Sequence, residues 1–485
     1  MNDSVLVTVI TLAYLAVVLW VGIRARGDGP STLENYVAGG RHIGVLILFF
    51  ILGAEIFSAF SFLGGPGWAY SKGAPAFYII AYLGLVPVTI WVLGPKVARV
   101  GRERGYLTQG DLISDHYRST PLGLLAGLIG VLAMVPYLTV QIAGAGMLFQ
   151  AATNSLVPFW LGALLAFIVV AAYVFTSGLN GIGWTNLVQG IMMIVIAWFL
   201  GLAIPEHIYG GVPEMFAEIA SQAPEYLTMP GGGGGMGWGA FSTAVLVSAF
   251  GGAMWPHLFM KFYSADSGRS LRKVSVFYPL YAYLLVPLML IGFAGILTFA
   301  ESPLASADRV LLELVINVSN FPPWVVGLML SGALAAAMST GANLAHTAAV
   351  VLTRDVLGPT MMRKASEQQA VMATRICVLV ISLVAYLVAL INPSSLVMLL
   401  LGAYGMIVQL LPMVIGALFI PGWTRRAVSL GALAGSTVFL AFQFAVESPL
   451  DWHPGFWGLL VNAVVLMVWQ RYGEGRAVTH SRNVT

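Results

Sequence analysis

The sequence predicts an all-α polytopic membrane protein with about thirteen transmembrane helices, and three observations support this class. Apolar residues make up 59% of the 485 residues and charged residues only 9%, whereas a soluble domain carries about 25% charged residues. Runs of about twenty apolar residues, the length that spans a bilayer as a helix, recur along the whole chain. Positive charges cluster between alternate runs. The single cysteine, Cys377, excludes an internal disulfide and a cysteine-based metal site.

The first apolar run follows an acidic start. Asp3 precedes an apolar stretch from Val5 to Ile23, and Arg24 and Arg26 come directly after it. A secretory signal peptide has the opposite order, with positive residues first and a small-residue cleavage site last. We therefore predict a first transmembrane helix whose N-terminus is outside the cell.

Counting the apolar runs gives thirteen predicted spans. Their approximate bounds are residues 4–23, 43–70, 75–95, 121–152, 156–177, 184–208, 241–263, 274–300, 322–353, 371–392, 395–420, 427–446 and 455–471. With the N-terminus outside, all 23 Lys and Arg residues except Lys72 and Arg309 fall on the cytoplasmic side. One span missed or added would scramble this segregation. The span count and the orientation therefore support each other, and they place the C-terminus inside the cell.

The predicted loops are short and leave no room for a catalytic domain. The largest outer loop covers about residues 209–240 and includes Gly231 to Gly235, which predicts flexibility. The inner loop 96–118 mixes charged and apolar residues, which is typical of a segment on the membrane surface. An enzyme would need a metal motif or a nucleophile with its base, and no HExxH occurs.

Two ionisable residues are predicted to lie within spans. They are Glu55 in the second span and His257 in the seventh. Such residues cost roughly 2.5–3.5 kcal/mol to insert at a helix centre, so each is a candidate functional group. The alternative for Glu55 is a hydrogen bond across helices that serves packing, and the alternative for His257 is a position near a span end.

The second span also contains helix-breaking residues. Gly64-Gly65-Pro66-Gly67 follows the hydroxyl residues Ser58 and Ser61, and glycine and proline together weaken a helix. Broken helices near the bilayer midplane form ion and solute sites in many transporters. An ordinary kink before Lys72 is the alternative interpretation.

Adjacent hydroxyls occur in the ninth span, within Ala336-Ala337-Met338-Ser339-Thr340. A hard cation such as sodium prefers several oxygen ligands, and two hydroxyls with unwound carbonyls would provide a neutral cage. The alternative is a small-residue packing surface whose hydroxyls bond back to their own helix. The residues alone leave both interpretations open.

Four stretches together resemble a known family, the sodium/solute symporters, which includes sodium-coupled sugar, proline, pantothenate and monocarboxylate carriers. They occur in the expected order: Ser61 to Tyr70 with Gly73, Gly105 to Asp111 leading to Tyr117-Arg118-Ser119, Pro136 to Gln141, and Ala336 to Thr340. The pattern is most similar to bacterial monocarboxylate and pantothenate carriers. It departs from the family at Ile56, where proline carriers have an aspartate, and at Gly341-Ala342-Asn343, where Ala-Asp-Ser is usual.

The resemblance implies a leucine-transporter-like core of two inverted five-helix repeats in one transmembrane domain, residues 1–485. A leading helix and loop would cover 4–42, the first repeat 43–208, the second repeat 241–420, and two trailing helices with a cytoplasmic tail 427–485. It also implies a sodium ion between the broken helix and the ninth span. The implied ligands are the carbonyls of Ala54, Phe57 and Ala336 and the hydroxyls of Ser339 and Thr340.

The function implied is sodium-coupled uptake of a small organic solute, with a carboxylate such as a monocarboxylate or pantothenate preferred. The candidate solute contacts are Glu55, Ser58, Ser61, Phe62, Gly65, Tyr137, Gln141, Trp255, His257 and Gln409. Since no Arg or Lys is predicted in the middle of a span, an anion would depend on sodium, backbone amides, hydroxyls or His257. The alternatives are proton coupling through Glu55 and a sodium symporter for an amino acid or a sugar.

The expected partners are the solute, sodium as the coupling ion and the lipid bilayer, with no nucleic acid and no cofactor. Short loops and the lack of a targeting peptide suit a bacterial cytoplasmic membrane. The residues give no indication of the oligomeric state.

Overall fold

The computed structural model describes residues 3–25, 32–54, 57–232, 235–391 and 396–481. Within these ranges the regular structure is helical, and a bridge between Ile43 and Ala265 is the one strand-like pairing. The helices are α1 (Asp3–Arg24), α2 (Leu33–Ala38), α3 (Val45–Ala54), α4 (Gly65–Lys72), α5 (Tyr78–Arg104), α6 (Gln109–His116), α7 (Thr120–Ala152), α8 (Phe159–Tyr209), α9 (Val212–Gln222), α10 (Trp238–Gly252), α11 (Pro256–Ser264), α12 (Gly268–Phe277), α13 (Pro279–Leu284), α14 (Val286–Thr298), α15 (Val310–Glu313), α16 (Pro323–Val351), α17 (Gly358–Thr360), α18 (Glu367–Ile391), α19 (Leu396–Ile407), α20 (Leu411–Phe419), α21 (Arg425–Phe444) and α22 (Pro454–Ser481).

Ten helical segments of the described chain are long and apolar enough to cross a membrane. One of them, α8, has 51 residues, about 77 Å at 1.5 Å per residue, while the hydrocarbon core is about 30 Å thick. It therefore crosses twice, and the bend is at Gly178 (φ 55°, ψ −139°). The interrupted pair α3 and α4 and the last helix, α22, coincide in sequence with the two remaining predicted spans.

The predicted second span is interrupted, but not where the glycines and the proline suggested. Helix α3 ends at Ala54, residues 57–58 form a bend, and a π-helical turn, Phe60–Gly64, leads directly into α4. Pro66 lies in the first turn of α4, directly after the π-helical turn, and the backbone stays helical through Gly64 and Gly65. The expectation of a break at Gly64 to Gly67 is therefore wrong, and the break lies about two helical turns earlier in the chain.

A second interruption separates α10 from α11, within the predicted seventh span. Helix α10 ends at Gly252, Trp255 has a non-helical backbone (φ −57°, ψ 124°), and Pro256 begins α11. Both interrupted helices contact α16, a continuous helix whose residues are buried from Met329 to Val351. It packs against α1, α7, α8 and α18, so it forms the centre of the molecule.

The outer loop is more tightly packed than its glycines suggested. A Cβ atom added at Gly231 would lie 2.2 Å from the carbonyl oxygen of Lys72, and one at Gly235 would lie 2.0 Å from its Nζ atom. At Gly232 the added atom would meet the ring of Tyr226 at 2.2 Å. These three glycines allow the loop to pack closely over the end of α4, in contrast to the expected flexible run.

Candidate functional site

The ninth-span hydroxyls meet the break between α3 and α4. The Thr340 hydroxyl donates to the carbonyl oxygen of Phe57, with an Oγ1–O distance of 3.3 Å. The Ser339 hydroxyl donates to the carbonyl of Ala336, one turn earlier in α16, at 3.1 Å. Both hydroxyl residues are fully buried. The structure thus brings a backbone carbonyl of the interrupted helix within hydrogen-bond distance of α16.

The remaining implied ligand, Ala54, is the last residue of α3. Carbonyl groups in the last turn of a helix have no partner within that helix. The donor set would therefore be three carbonyls and two hydroxyls, all neutral oxygens. Such a set fits a hard monovalent cation, which needs oxygen ligands but must also leave. Among the described residues, no group of three or more His, Cys, Asp or Glu could hold a metal ion.

Gln141 joins α7 to the start of the second half of the broken helix. Its Oε1 atom accepts a hydrogen bond from the backbone N–H of Ala59 at 2.9 Å, and its Nε2 atom donates to the carbonyl of Tyr137 at 3.3 Å. The N–H groups that begin a helical segment lack partners inside it. Gln141 therefore holds the interrupted backbone in place. Ser58, which precedes Ala59 in the chain, has a buried hydroxyl with no hydrogen-bond partner.

An aromatic cavity of about 30 Å³ lies between the two interrupted helices. Its lining residues are Phe60, Tyr82, Leu83, Val86, Tyr137, Gly252, Trp255, His257, Leu258, Tyr278 and Tyr404. The ring of Trp255 lies 5.3 Å from each of the rings of Tyr137, His257 and Tyr404. Since 30 Å³ is roughly the volume of one water molecule, these rings must separate before a solute can enter.

Three predicted solute contacts, Tyr137, Trp255 and His257, line this cavity. Sequence reasoning missed the other aromatic residues of the lining, because single tyrosines in an apolar span are indistinguishable from packing residues. Their clustering at the breaks appears only when the helices are folded together.

Other predicted contacts lie elsewhere. The ring of Phe62 packs 6.2 Å from that of Phe57, and a Cβ at Gly65 would lie 2.7 Å from the methyl of Met289. Ser61 is buried in the π-helical turn. Gln409 donates to the carbonyls of Gly405 and Gly455, at 3.1 and 3.2 Å, and so joins the end of α19 to α22. Glu55 lies outside the described residues.

Three charged side chains of the described residues are buried, which the sequence did not predict. Lys261 in α11 is 1% exposed, Asp308 before α15 is 5% exposed, and Asp355, just after α16, is 6% exposed. The sequence predicted no Lys or Arg in the middle of a span, and Lys261 does lie near the end of its segment, Trp238–Ser264, but its burial was not expected. Lys261 was assigned to the cytoplasmic side because it lies near the end of its apolar run. One signal of its burial was available in the sequence, since Lys261 lies one helical turn after His257 and has apolar residues on both sides.

Helix α6 joins the ends of several core helices. The Thr108 hydroxyl before it donates to Asp355 at 2.6 Å, and the Gln109 amide donates to the carbonyl of Met254 in the break between α10 and α11 at 2.9 Å. The Nε atom of Arg354 donates to both carboxylate oxygens of Asp111, at 2.9 Å to Oδ1 and 2.7 Å to Oδ2. We call the region of Thr108 to Asp111, Arg354 and Asp355 the basic end, because it lies on the side where the sequence predicts most Lys and Arg residues.

The loop into α6 is also held by a tyrosine. The phenol of Tyr106 donates to the carboxylate of Asp115. Burial, together with this hydrogen bond and the negative charge of Asp115, raises the pKa of the Tyr106 phenol above its usual range. The phenol therefore stays protonated and remains a donor at any physiological pH.

Two interrupted helices that face one continuous, hydroxyl-bearing helix define a secondary transporter, in which unwound backbone supplies the binding sites. Comparison with known proteins agrees with this class. The model of the sodium:solute symporter family matches residues 36–438, and the chain belongs to this family. The protein is therefore a transporter and not an enzyme, as the sequence predicted.

Relatives of the chain are bacterial. An uncharacterized symporter of Bacillus subtilis, YhjB, is 32% identical over 475 residues, which are 95% of each chain. A monocarboxylate transport permease protein of Rhizobium johnstonii is 27% identical over 85% of this chain and 82% of its own. These relatives agree with the resemblance found in the sequence, and they support a multi-pass protein of a bacterial membrane.

The fold is similar to that of a solved transporter. The structure of a Na⁺-coupled sialic acid symporter, in a substrate-bound outward-open state, superposes with a TM-score of 0.81 at 16% sequence identity, covering 96% of this chain and 97% of the other. This similarity confirms the predicted leucine-transporter-like fold class.

Proposed function

We propose that this protein couples the inward movement of sodium to the uptake of a small organic carboxylate. The observation that carries the proposal is the 3.3 Å contact between the Thr340 hydroxyl and the Phe57 carbonyl, which joins α16 to the break in the second span. Both atoms are buried, and both belong to residues that the family resemblance assigns to a sodium site.

In this mechanism sodium binds first, between α16 and the break. By bridging Ser339 and Thr340 to the carbonyls of Ala54 and Phe57, it fixes the interrupted backbone and completes the neighbouring cavity. The aromatic rings of Tyr137 and Trp255 then close over the solute. Rocking of the interrupted helices against α16 exposes both ligands to the cytoplasm. Inward transfer of one positive charge releases about 2.3 kcal/mol per 100 mV of membrane potential.

The carboxylate class rests on sequence similarity. The Rhizobium relative is named a monocarboxylate transport permease, and the stretches around Pro136 to Gln141 resemble monocarboxylate carriers. The Ser61 to Gly67 stretch is equally similar to pantothenate carriers, whose substrate is also a carboxylate. We therefore place acetate, lactate, pyruvate and pantothenate first among the solutes to be tested.

The test uses purified protein in liposomes and labelled forms of these four acids. Each acid is offered with an inward sodium gradient, an inward proton gradient or no gradient. Accumulation of one acid with sodium alone is the expected result. Uptake driven by protons and unchanged by sodium would overturn the sodium coupling and move the coupling role to Glu55. Sodium-driven uptake of amino acids or sugars, but of no acid, would overturn the solute class.

A further inference from the structure

Four basic side chains are exposed where α5 and α12 meet, on the predicted cytoplasmic side. They are Arg99 in α5 and Arg269, Arg272 and Lys273 in α12. The ion pairs found among the described residues include none of the four. With Arg102, five basic residues stand beside two acidic ones, Glu103 and Asp266, so three positive charges are in excess. Such a cluster between transmembrane helices attracts an anion.

The two helices pack side by side in opposite directions. Arg102, near the end of α5, donates to the carbonyl of Asp266, just before α12. One turn and more towards the membrane interior, a Cβ at Gly94 would lie 3.5 Å from the side chain of Leu271. Helix α12 buries Leu271 and Val274 and exposes its basic residues, so it is held against α5 by one face only.

The exposed face of both helices changes from basic to apolar at the same level. The guanidinium of Arg272 lies 5.7 Å from the centre of the Trp91 ring. Beyond this pair the exposed side chains are apolar, namely Val88 and Val92 in α5 and Val276 and Phe277 in α12. Tryptophan is enriched at the membrane interface, and arginine there keeps its charge at the headgroups. The boundary between headgroups and acyl chains therefore passes through Trp91 and Arg272.

This combination fits one kind of ligand. Arginine binds phosphate through paired hydrogen bonds, so the basic part of the face suits a phosphate group. The adjoining apolar part, with Val276 and Phe277, suits hydrocarbon chains attached to that phosphate. A free anion would leave the apolar part uncovered, and a neutral lipid would leave the excess positive charge unmatched.

The face adjoins the backbone that links the two interrupted helices. Ser264 ends α11, and its carbonyl accepts a hydrogen bond from the N–H of Ile43 at 3.2 Å. The N–H of Asp266 donates to the carbonyl of Ile43 at 3.1 Å, and α3 begins two residues after Ile43. A ligand that holds the start of α12 against α5 therefore also restrains one end of each interrupted helix.

We propose that Trp91, Arg99, Arg269, Arg272 and Lys273 bind the headgroup of an anionic phospholipid from the inner leaflet. The phosphate lies among the basic side chains, and the acyl chains extend along α5 and α12. The bound lipid holds α12 against α5 and stabilises the arrangement of the interrupted helices seen in this structure. The site goes beyond the proposed function and does not depend on which solute is carried.

The test uses the full-length protein in a neutral detergent, and thermal unfolding is the measurement. Phosphatidylglycerol and phosphatidylcholine with the same acyl chains are titrated separately, and glycerol phosphate, which has no chains, is a third arm. We expect phosphatidylglycerol to raise the melting temperature, with a midpoint at least about tenfold lower in concentration than that of phosphatidylcholine. Equal stabilisation by the two lipids would overturn the proposal. A shift by glycerol phosphate equal to that by phosphatidylglycerol would identify a free-anion site and overturn the lipid assignment.

Variants locate the site. Each cation at an anionic lipid surface contributes about fivefold in affinity. The triple variant Arg269→Gln, Arg272→Gln, Lys273→Gln should therefore raise the midpoint for phosphatidylglycerol roughly a hundredfold. The control, Arg425→Gln with Arg426→Gln, removes two exposed basic residues of α21 on the same predicted side and should keep the wild-type midpoint. A normal midpoint in the triple variant, or an equal loss in the control, would overturn a site between α5 and α12.

The four substituted arginines and the lysine are exposed, and exposed substitutions change stability little. If the triple variant nevertheless does not fold, Arg272→Gln alone decides the question, with an expected shift of about fivefold in the midpoint. An unchanged midpoint in that variant would also overturn the proposal. These measurements need no transported solute, so their outcome is separate from that of the uptake experiment.

Discussion

At the residue scale, two hydroxyl groups in one turn of α16 carry the proposed ion site. Ser339→Ala and Thr340→Ala each remove one oxygen ligand, and Thr340→Ala also removes the contact with Phe57. We expect each change to raise the sodium concentration for half-maximal uptake about tenfold or more, since a lost hydrogen bond to a charged group costs roughly 1.5–3 kcal/mol. The measurement is uptake as a function of sodium in liposomes.

Ser331 in the same helix offers a matched control. Its hydroxyl is buried and bonds back to the carbonyl of Gly327 at 2.8 Å. Ser331→Ala should therefore leave the sodium dependence as in the wild type. Unchanged sodium activation in both Ser339→Ala and Thr340→Ala would refute the assigned ion site.

A second prediction at this scale concerns Gln141. Gln141→Leu keeps the size of the side chain but leaves the buried N–H of Ala59 without its acceptor. An unsatisfied buried group costs about 1–3 kcal/mol, so we expect a lower melting temperature and slower uptake. Thr139→Val on the same helix removes a hydroxyl bonded to Val135 at 3.0 Å and should have a smaller effect. An equal loss in both variants would show that Gln141 has no special role at the break.

The residues also show what sequence reasoning can and cannot propose. Ser339 and Thr340 could be proposed as ion ligands because two adjacent hydroxyls in an apolar helix are a local pattern that a family motif reinforces. Lys261 could not be placed in the same way, because its burial depends on how α11 packs against other helices. Hydropathy assigns such a lysine to the nearest span end.

At the element scale, α6 joins the end of α16 to the break between α10 and α11, two parts that the proposed mechanism moves relative to each other. It bonds to Arg354 and Asp355 beyond α16 and to the break before α11. These contacts would resist opening at the basic end. Removing one of them should therefore shift the population toward a conformation that is open there.

Arg354→Gln tests this role. In a Cys377→Ser background, a reporter cysteine at Leu258, which lines the aromatic cavity, is labelled by an impermeant maleimide from the basic end. We expect Arg354→Gln to speed labelling about fivefold, equivalent to roughly 1 kcal/mol. Arg309→Gln breaks an ion pair in another part of the chain and serves as the control. Labelling at the wild-type rate in Arg354→Gln would rule out a closing function for the pair.

The two interruptions show how far element boundaries could be predicted. The existence of a break in the second span was predicted, but its position was not, because a proline in the first turn of a helix is harmless while Ala54 and Phe57 carry no helix-breaking signal. In the seventh span, the sequence analysis of the residues around His257 did not predict a break at Trp255-Pro256. Partners such as Gln109 and Gln141 hold the breaks in place, and these partners are distant in the chain.

At the scale of the whole molecule, the number of spans and the fold class were predictable, because hydropathy and charge segregation sum over many residues. The connection between the fifth and sixth spans could not be predicted in the same way. These spans were expected at residues 156–177 and 184–208 with a short connection, and the structure joins them through Gly178 alone. A Cβ at this position would lie 2.7 Å from the ring and the carbonyl oxygen of Tyr36.

Gly178→Ala should therefore destabilise the whole protein. Its backbone angles, φ 55° and ψ −139°, lie in a region that glycine essentially alone occupies, and the contact with Tyr36 adds to this strain. Gly105 lies in the left-handed helical region (φ 73°, ψ 22°), with no atom within 4 Å of an added Cβ, so Gly105→Ala should cost only roughly 1–2 kcal/mol. We expect a clearly lower melting temperature and membrane yield for Gly178→Ala than for Gly105→Ala. Equal losses would show that neither the backbone angles of Gly178 nor Tyr36 restricts this bend.

The same bend has a consequence for biosynthesis. Because the two spans of α8 are joined by one glycine rather than by a hydrophilic loop, the ribosome delivers them with almost no polar chain between them. We expect them to enter the bilayer together as a helical hairpin, with neither span stably inserted before the other has been made. A tag or reporter placed at residue 178 would force the pair apart, whereas exposed Met361, between α17 and α18, offers a site where added sequence leaves the membrane helices intact.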